Sequence, residues 1–384
     1  MSRIIVDSLR GNSASSDAIS LANDGTCTAN ITNNLSNRNK VINGAMVVNQ
    51  RSGTYNRPTG DEYTVDRFET RTGSSFNFDT LTTQDSSAPN GFSKSLKITP
   101  QTTQTPSGSH NGMFAHLIEA DNLLGFASGT SSAKKFVLSF YAKSASQNNN
   151  HQYSVQLSKI NSGGNFYYQN RSFTVTSSWQ RFTVAFPADT SNNITTGNGE
   201  GLRILWHLAA GSDDIASAVT SWTSSNGNHA VTGQSNFMDN TSNEFYLTGV
   251  QLEASDSDVA TDFEHRSFGQ ELALCQRYFE CSNSYGTVPL TDTGQGIYIQ
   301  SASSNGAGNC LQSINFKVSK RANPTMTGGG NTLGSWGYGR SGAGGYTTVT
   351  FDEIGFNSCR AYNGVGSNHV TCDTYGHWKA EAEL

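Results

Sequence analysis

Gly337-Tyr338-Gly339-Arg340-Ser341-Gly342 fits the spacing Gly-x-Gly-x-x-Gly, which in a dinucleotide-binding unit joins a strand to a helix whose N-terminus meets pyrophosphate. The residues that follow, Ala343-Gly344-Gly345-Tyr346, start helices poorly, so the stretch reads as a glycine-rich loop. Trp336, Tyr338 and Tyr346 on that loop are the candidate receptor contacts, because sugars bind by stacking on rings and by hydrogen bonding to amides and hydroxyls. Cys359, His369, Cys372 and His377 offer metal-ligating atoms, but without the paired Cys-x-x-Cys or His-x-x-x-His spacing of zinc sites. Asp213-Asp214, Asp256 with Asp258, and Asp352-Glu353 are the acidic neighbours from which a glycosidase would draw two carboxylates, about 5 to 9.5 Å apart across the sugar. They read as loop or surface residues, and no Gly-x-Ser-x-Gly nucleophile elbow is present. No catalytic residue, metal ligand or cofactor is assigned, and the chain is read as a non-enzyme.

The elements that must position these residues follow from hydrophobic alternation. In Lys135 to Lys143, Phe136, Leu138, Phe140 and Ala142 fall on one face and Ser139, Tyr141 and Lys143 on the other. That period of two marks a half-buried antiparallel strand. Tyr153-Val155-Leu157, Phe173-Val175, Phe182-Val184-Phe186, Leu202-Ile204-Trp206-Leu208 and Phe245-Leu247 repeat it. Asn-Gly pairs at 43–44, 90–91, 111–112, 198–199 and 226–227 punctuate the series as turns. The pattern predicts an all-β chain with a jelly-roll sandwich over 38–265. A linking helix is expected within 266–281, running from 267 to about 279. Ser267 and Gln270 have capping-box spacing, and Phe268, Leu272, Cys275 and Phe279 lie on one face. A smaller C-terminal β-sandwich is expected over 282–384, from runs such as Ile297 with Ile299, Ile314-Phe316-Val318 and Thr347-Val349-Phe351.

Residues 1–37 stand apart. Ile4, Ile5, Val6, Leu9, Ile19 and Leu21 are spread among Ser, Asn, Gly and Thr, too few to bury a core within one chain. Short β-like pieces at Ile4 to Val6, Ala18 to Leu21 and Cys27 to Thr32, with a turn at Asp24-Gly25, make this an extended anchoring segment. Those six apolar residues are its candidate anchor and oligomer contacts, packing against copies of the chain or another protein.

Composition excludes several partners. Charged residues are 14% of the chain, against about 25% in an average soluble protein, and Ser, Thr, Asn, Gln and Gly take their place. With a net charge of -5 and no Lys/Arg run, nothing offers the clustered positive charge that a phosphate backbone requires. No stretch approaches the roughly 18 apolar residues of a membrane span, and the N-terminal apolar run ends after Val6, unlike a signal peptide. Cys27, Cys275, Cys281, Cys310, Cys359 and Cys372 share no repeated spacing and read as buried, reduced thiols. A neutral, sugar-facing β protein without an export signal suits a particle assembled in a host cytoplasm and released by lysis.

Three stretches carry a resemblance. Asn39-Lys40-Val41-Ile42-Asn43-Gly44-Ala45-Met46-Val47-Val48-Asn49-Gln50-Arg51-Ser52-Gly53, followed by Tyr63-Thr64-Val65-Asp66-Arg67-Phe68, resembles the opening of a carbohydrate-binding-module-like jelly roll. Phe136 to Ser144 is similar to a core strand of that module. Tyr246-Leu247-Thr248-Gly249-Val250-Gln251-Leu252-Glu253 leads to Thr261-Asp262-Phe263-Glu264-His265-Arg266 and Leu272-Ala273-Leu274-Cys275-Gln276-Arg277-Tyr278-Phe279. This run resembles the junction to a C-terminal β domain in tail-fibre proteins of phages infecting aquatic bacteria. Phe316-Lys317-Val318, Pro324-Thr325 and the ending Ala380-Glu381-Ala382-Glu383-Leu384 are similar to that domain. The likeness spans 38–384. It implies a virion structural protein, tail fibre or receptor-binding appendage, usually trimeric, with other phage tail proteins and a host cell-surface glycan as partners. A collar, adaptor or capsid-surface component and a glycan-degrading spike are the rival readings. In Asp262 to Arg266, Phe263 is expected in the core and the charges in an ion-pair set at the helix start, locking the two domains.

Overall fold

The computed structural model describes residues 6–12, 17–24, 27–29, 36–53, 55–57, 61–225, 227, 229–293, 298–304, 309–330, 333–340, 343–364 and 371–384. Among the described residues the chain is all-β with one short α-helix. Two antiparallel sheets, of six and seven strands, face each other in a jelly-roll-type sandwich between about residues 55 and 255. The six-stranded sheet centres on Lys135–Ser144, which pairs with Gln180–Phe186 on one side and Phe245–Ser255 on the other. The seven-stranded sheet centres on Glu200–Ala210, between Gln152–Ile160 and Asn111–Glu119. The inward residues read from alternation fill the core: Phe136, Leu138, Phe140, Tyr153, Val155, Leu157, Ile204 and Trp206 are at most 1% exposed.

Not every Asn-Gly pair is a turn. Asn111-Gly112 opens the strand Asn111–Glu119, and its glycine is there because the Phe78 ring lies where a Cβ would stand, 2.2 Å away. Asn226 lies outside the described residues. At Gly249 a positive φ of 60° accompanies a register shift against Lys135–Ser144, and Phe92 and Tyr141 close over the missing side chain.

The helix spans Phe268–Gln276 and carries the expected capping box. Gln270 N–H donates to Ser267 Oγ, and Ser267 N–H donates to Gln270 Oε1 at 3.1 Å. It stops short of 279 because Phe279–Cys281 is a strand, paired with Thr371–Glu381. Of its expected face, Cys275 and Phe279 are buried and Leu272 is half-buried, but Phe268 is 47% exposed against Tyr285, and Glu271 and Gln276 are buried as well.

The C-terminal strands form one antiparallel system in which Thr371–Glu381 pairs with both Tyr298–Ser304 and Ser335–Arg340, so the hydrogen-bonded circuit closes on itself. Its core holds Ile314, Phe316, Trp336, Val349, Ala361, Trp378 and Ala380. Cys275, Cys281 and Cys359 are free and buried, as expected. Cys310 corrects the reading of six reduced thiols: it is disulfide-bonded, which no repeated spacing in the sequence announces.

Near the N-terminus, Ser8–Leu9, Ile19–Leu21 and Cys27–Ala29 form a three-stranded antiparallel sheet with Leu9 opposite Ile19. Val6, Leu9 and Leu21 are 39%, 51% and 43% exposed, so this sheet leaves apolar surface uncovered. Ile4 and Ile5 lie outside the described residues, as does Gly25 of the expected turn.

The resembling motifs meet in space and clamp the sandwich to the C-terminal unit. Glu264 accepts the N–H groups of Asn37 and Asn39 at 2.6 and 2.7 Å, while Arg266 donates to the Val41 and Asn39 carbonyls and pairs with Glu271 at 3.3 Å. The ion pair at the helix start is thus Arg266 with Glu271 and not the expected set of Asp262, Glu264 and Arg266, and Phe263, expected in the core, is only half-buried, set edge-on to Phe92. Glu271 accepts Asn43 N–H, and Gln50 bridges Asp66 and the Phe279 carbonyl. Arg277 and Tyr278 both donate to Glu119 of the seven-stranded sheet. Arg67 stacks on Tyr278, with its Cζ 3.6 Å from the ring centroid, and pairs with Glu383.

Candidate functional site

The glycine-rich stretch is a hairpin of two strands, Ser335–Arg340 and Ala343–Asp352, and not a loop. It presents no helix N-terminus to a phosphate. Trp336 is fully buried, donates its Nε1–H to the His377 carbonyl at 2.8 Å, and lies against Phe351. It is therefore a core residue and no surface contact. The nearby glycines make room for rings: a Cβ on Gly376 would stand 2.1 Å from Trp336, and one on Gly337 would stand 2.2 Å from Tyr375. Pairing places Gly337 between Tyr346 and Tyr375, so those two rings share one face, 6.2 Å apart, with Tyr346 47% exposed. Tyr338, two residues from Trp336, is half-buried on the opposite face. The three expected contacts thus do not form one surface; Tyr346 has Tyr375 as its neighbour, which sequence reading missed.

The other chemically capable residues are otherwise engaged. His377 is buried, with Nδ1 3.2 Å from Ser282 Oγ and Nε2 3.0 Å from the Thr293 carbonyl. Burial pushes the Cys359 thiol up to about 12. His369 lies outside the described residues. Asp256 and Asp258 pair with Lys134 and Lys135, each at 2.8 Å, and Asp352 takes Arg360 through two bonds of 2.7 Å. Asp214 accepts Asn111 Nδ2–H at 2.6 Å.

What remains are the two outer faces of the sandwich. That of the seven-stranded sheet is covered from both sides. Residues 229–235 lie over Ser154, Gln156 and His207: His229 N–H donates to Gln156, Val231 N–H to Ser154, and Gln234 Nε2–H to the His207 carbonyl. Asn170 is bonded in the same way to residues 219 and 229. On the other half, Leu384 packs on Met113, Ala115, Leu117 and Leu205.

The six-stranded sheet is covered only in part. Residues 261–264 occupy one half, where Thr261 donates to Glu253 at 2.8 and 2.7 Å and Glu264 N–H donates to Gln251. The other half stays open. There Tyr141 and Lys143, the outward residues of their strand, join Tyr246 on one flank and Trp179 near the opposite edge strand. The Trp179 and Tyr246 rings stand 6.1 Å apart at 70°, forming a corner, and Lys143 Nζ lies 4.4 Å from the Tyr246 centroid and 5.4 Å from that of Trp179. Lys97 pairs with Glu244 at 2.5 Å, and Glu244 also accepts the Tyr246 hydroxyl at 2.8 Å. Tyr141 continues the row of rings into Phe92, at 5.3 Å, and from there to Phe263 and His265. Tyr246 is only 7% exposed and forms the floor of the corner, whereas Trp179 and Tyr141 are part-exposed; with the nearby carboxylate and ammonium groups they form a surface on which an amphipathic ring-shaped ligand can stack and hydrogen-bond. Alternation alone placed Tyr141 and Lys143 outward; strand order across the sheet was needed to bring in Tyr246 and Trp179.

No protein-family model matches the sequence, and no curated protein sequence matches it. Among solved structures, the chain is similar to the enzymatically active domain of bacteriophage CBA120 tailspike protein 4, at 12% identity and TM-score 0.31, covering 56% of this chain and 21% of that one. The chain therefore spans about a fifth of that tailspike structure. It is similar to a protein described as sugar binding from Bacteroides thetaiotaomicron VPI-5482, at 11% identity and TM-score 0.32, over 57% of this chain and all of that one. It is also similar to the family 11 carbohydrate-binding module of the Clostridium thermocellum cellulase Lic26A-Cel5E, at 13% identity and TM-score 0.27, over 56% of this chain and 98% of that one.

Proposed function

We propose that this protein is a non-catalytic glycan-binding subunit of a bacteriophage virion appendage, and that the open half of the six-stranded sheet is its sugar-contact surface. The observation that carries this is the part-exposed Trp179, set against Tyr246 and Lys143 on the half of the six-stranded sheet that residues 261–264 leave free, whereas the other outer face is covered by its own chain. The virion assignment rests on the resembling motifs of residues 39–53 and 246–279, which here build a rigid junction suited to a load-bearing fibre. A homotrimeric state is supported by the exposed Val6, Leu9 and Leu21 of the small N-terminal sheet, which copies of the chain would cover. Three identical subunits would turn weak sugar contacts into useful avidity. Mass measurement in solution should give three chains; a monomer with a protease-resistant N-terminus would remove this part.

The test of the whole reading is affinity electrophoresis of the full chain in gels containing bacterial surface polysaccharides. Wild type should be retarded by at least one of them, and Trp179→Ala should weaken that binding by at least tenfold, about 1.4 kcal/mol. Folded protein that binds none of the polysaccharides, or whose binding ignores Trp179, would favour a collar or adaptor role. Release of reducing ends would favour a degrading spike.

A further inference from the structure

We infer that the sugar taken at this surface is acidic, a uronic-acid-type pyranose whose carboxylate meets Lys143. The inference rests on the glycan-binding reading above and narrows it to a ligand class. Two ammonium groups border the Tyr246 ring, and they differ. Lys97 Nζ is 5.3 Å from the centroid but is neutralised by Glu244 at 2.5 Å. Among the described residues no carboxylate lies within 4 Å of Lys143 Nζ. Glu244, the nearby acid, is already engaged by Lys97 and the Tyr246 hydroxyl.

Lys143 is half-buried, with its stem lying on the sheet and its charge held between two rings at the inside of their corner. A pyranose stacked on the part-exposed Trp179 would bring its exocyclic carbon to that corner, since Tyr246, 7% exposed, lies beneath Lys143. A carboxylate there forms an ion pair with both partners charged, whereas a neutral hydroxymethyl group only accepts a hydrogen bond from the ammonium. A single cation flanked by apolar faces is also wrong for a polyphosphate, which needs several positive charges in a row. The surface therefore matches a ligand with one negative charge per ring and an apolar ring face.

The probe is polygalacturonate, set against the same polymer after reduction of its carboxyl groups, with the full-length protein in affinity gels and calorimetry. Wild type should bind the acidic polymer at least tenfold more tightly than the reduced one, and the difference should shrink as salt rises. Lys143→Met, which keeps the apolar stem, should bind both polymers equally at the level of the reduced one, and Lys143→Arg should restore the preference. Equal binding of the two polymers by wild type, or an undiminished preference in Lys143→Met, would overturn the acidic-sugar inference while leaving glycan binding standing. If wild type and Trp179→Ala alike bound neither polymer nor any bacterial polysaccharide, the glycan-binding reading itself would fall.

Discussion

Arg67→Ala should destabilise the protein by about 3–5 kcal/mol, the cost of breaking a largely buried ion pair by removing one partner. Arg67 is 1% exposed and serves both units at once. It pairs with Glu383 of the C-terminal unit, donates to the Leu117 carbonyl of the sandwich at 2.7 Å, and stacks on Tyr278. Arg51 also reaches Glu383, at 2.9 Å, and lies 3.9 Å from the centroid of Phe279. Removing the Arg67 guanidinium takes one of two cations from Glu383 and leaves the Leu117 carbonyl and the Tyr278 face without their partner. Arg67 also sits at a φ of 71°, the left-handed region that an L-residue enters at a cost of roughly 1–2 kcal/mol. Arg67→Gly would lose the same contacts but relieve that strain, so it should be milder than Arg67→Ala by about 1 kcal/mol. Guanidinium unfolding of the three proteins, followed by tryptophan fluorescence, reads both differences. Loss of less than 1 kcal/mol in Arg67→Ala would mean that the junction is held by apolar packing alone.

The clamp shows what a single sequence displays and what it conceals. Some motifs were readable by themselves: Ser267 with Gln270 as a cap, Asn43-Gly44 as a turn. That Asn43 N–H would donate to Glu271, 228 residues away, is a fact of packing, with no local spacing to announce it. Period-two alternation located the sandwich strands because burial on one face imposes it directly. It failed for Trp336, since an aromatic residue among glycines resembles a loop tip. Here the glycines are instead the space into which buried rings fit. The same limit applies to the proposed site. Lys143 and Tyr141 were placed outward by their own strand, but Tyr246 faces Lys143 across a ladder and Trp179 lies near another strand's end, so the corner exists only once the sheet is ordered.

Acid should move two buried groups in opposite directions, and variants can separate them. His207 is fully buried beneath residues 229–234, with Nε2 3.2 Å from Gln156 Oε1. Burial first, and then the nearby His229, lower its pKa to about 3. The unfolded chain titrates near 6.5, so between about pH 6.5 and 3 the unfolded state binds the extra proton and stability falls with acidification. Relative to His207→Gln, wild type should therefore lose about 2 kcal/mol between pH 8 and pH 5. Glu69 is 3% exposed, and desolvation, only partly offset by Arg71 at 3.1 Å, raises its pKa to about 7. Its folded pKa lies above the unfolded value near 4.5, so the folded state holds the proton more tightly, and stability is gained as pH falls through 7 towards 4.5. Relative to Glu69→Gln, wild type should gain about 2–3 kcal/mol over the same interval. Denaturant midpoints for the three proteins at pH 8 and pH 5 give both differences directly. Each difference isolates one residue from the other titrating groups that the proteins share, such as His116, whose Nε2 accepts Ile42 N–H and whose pKa burial also depresses. Differences of the same sign for the two variants would show that at least one of these groups is hydrated in solution, opening either the cover over His207 or the sheet face around Glu69.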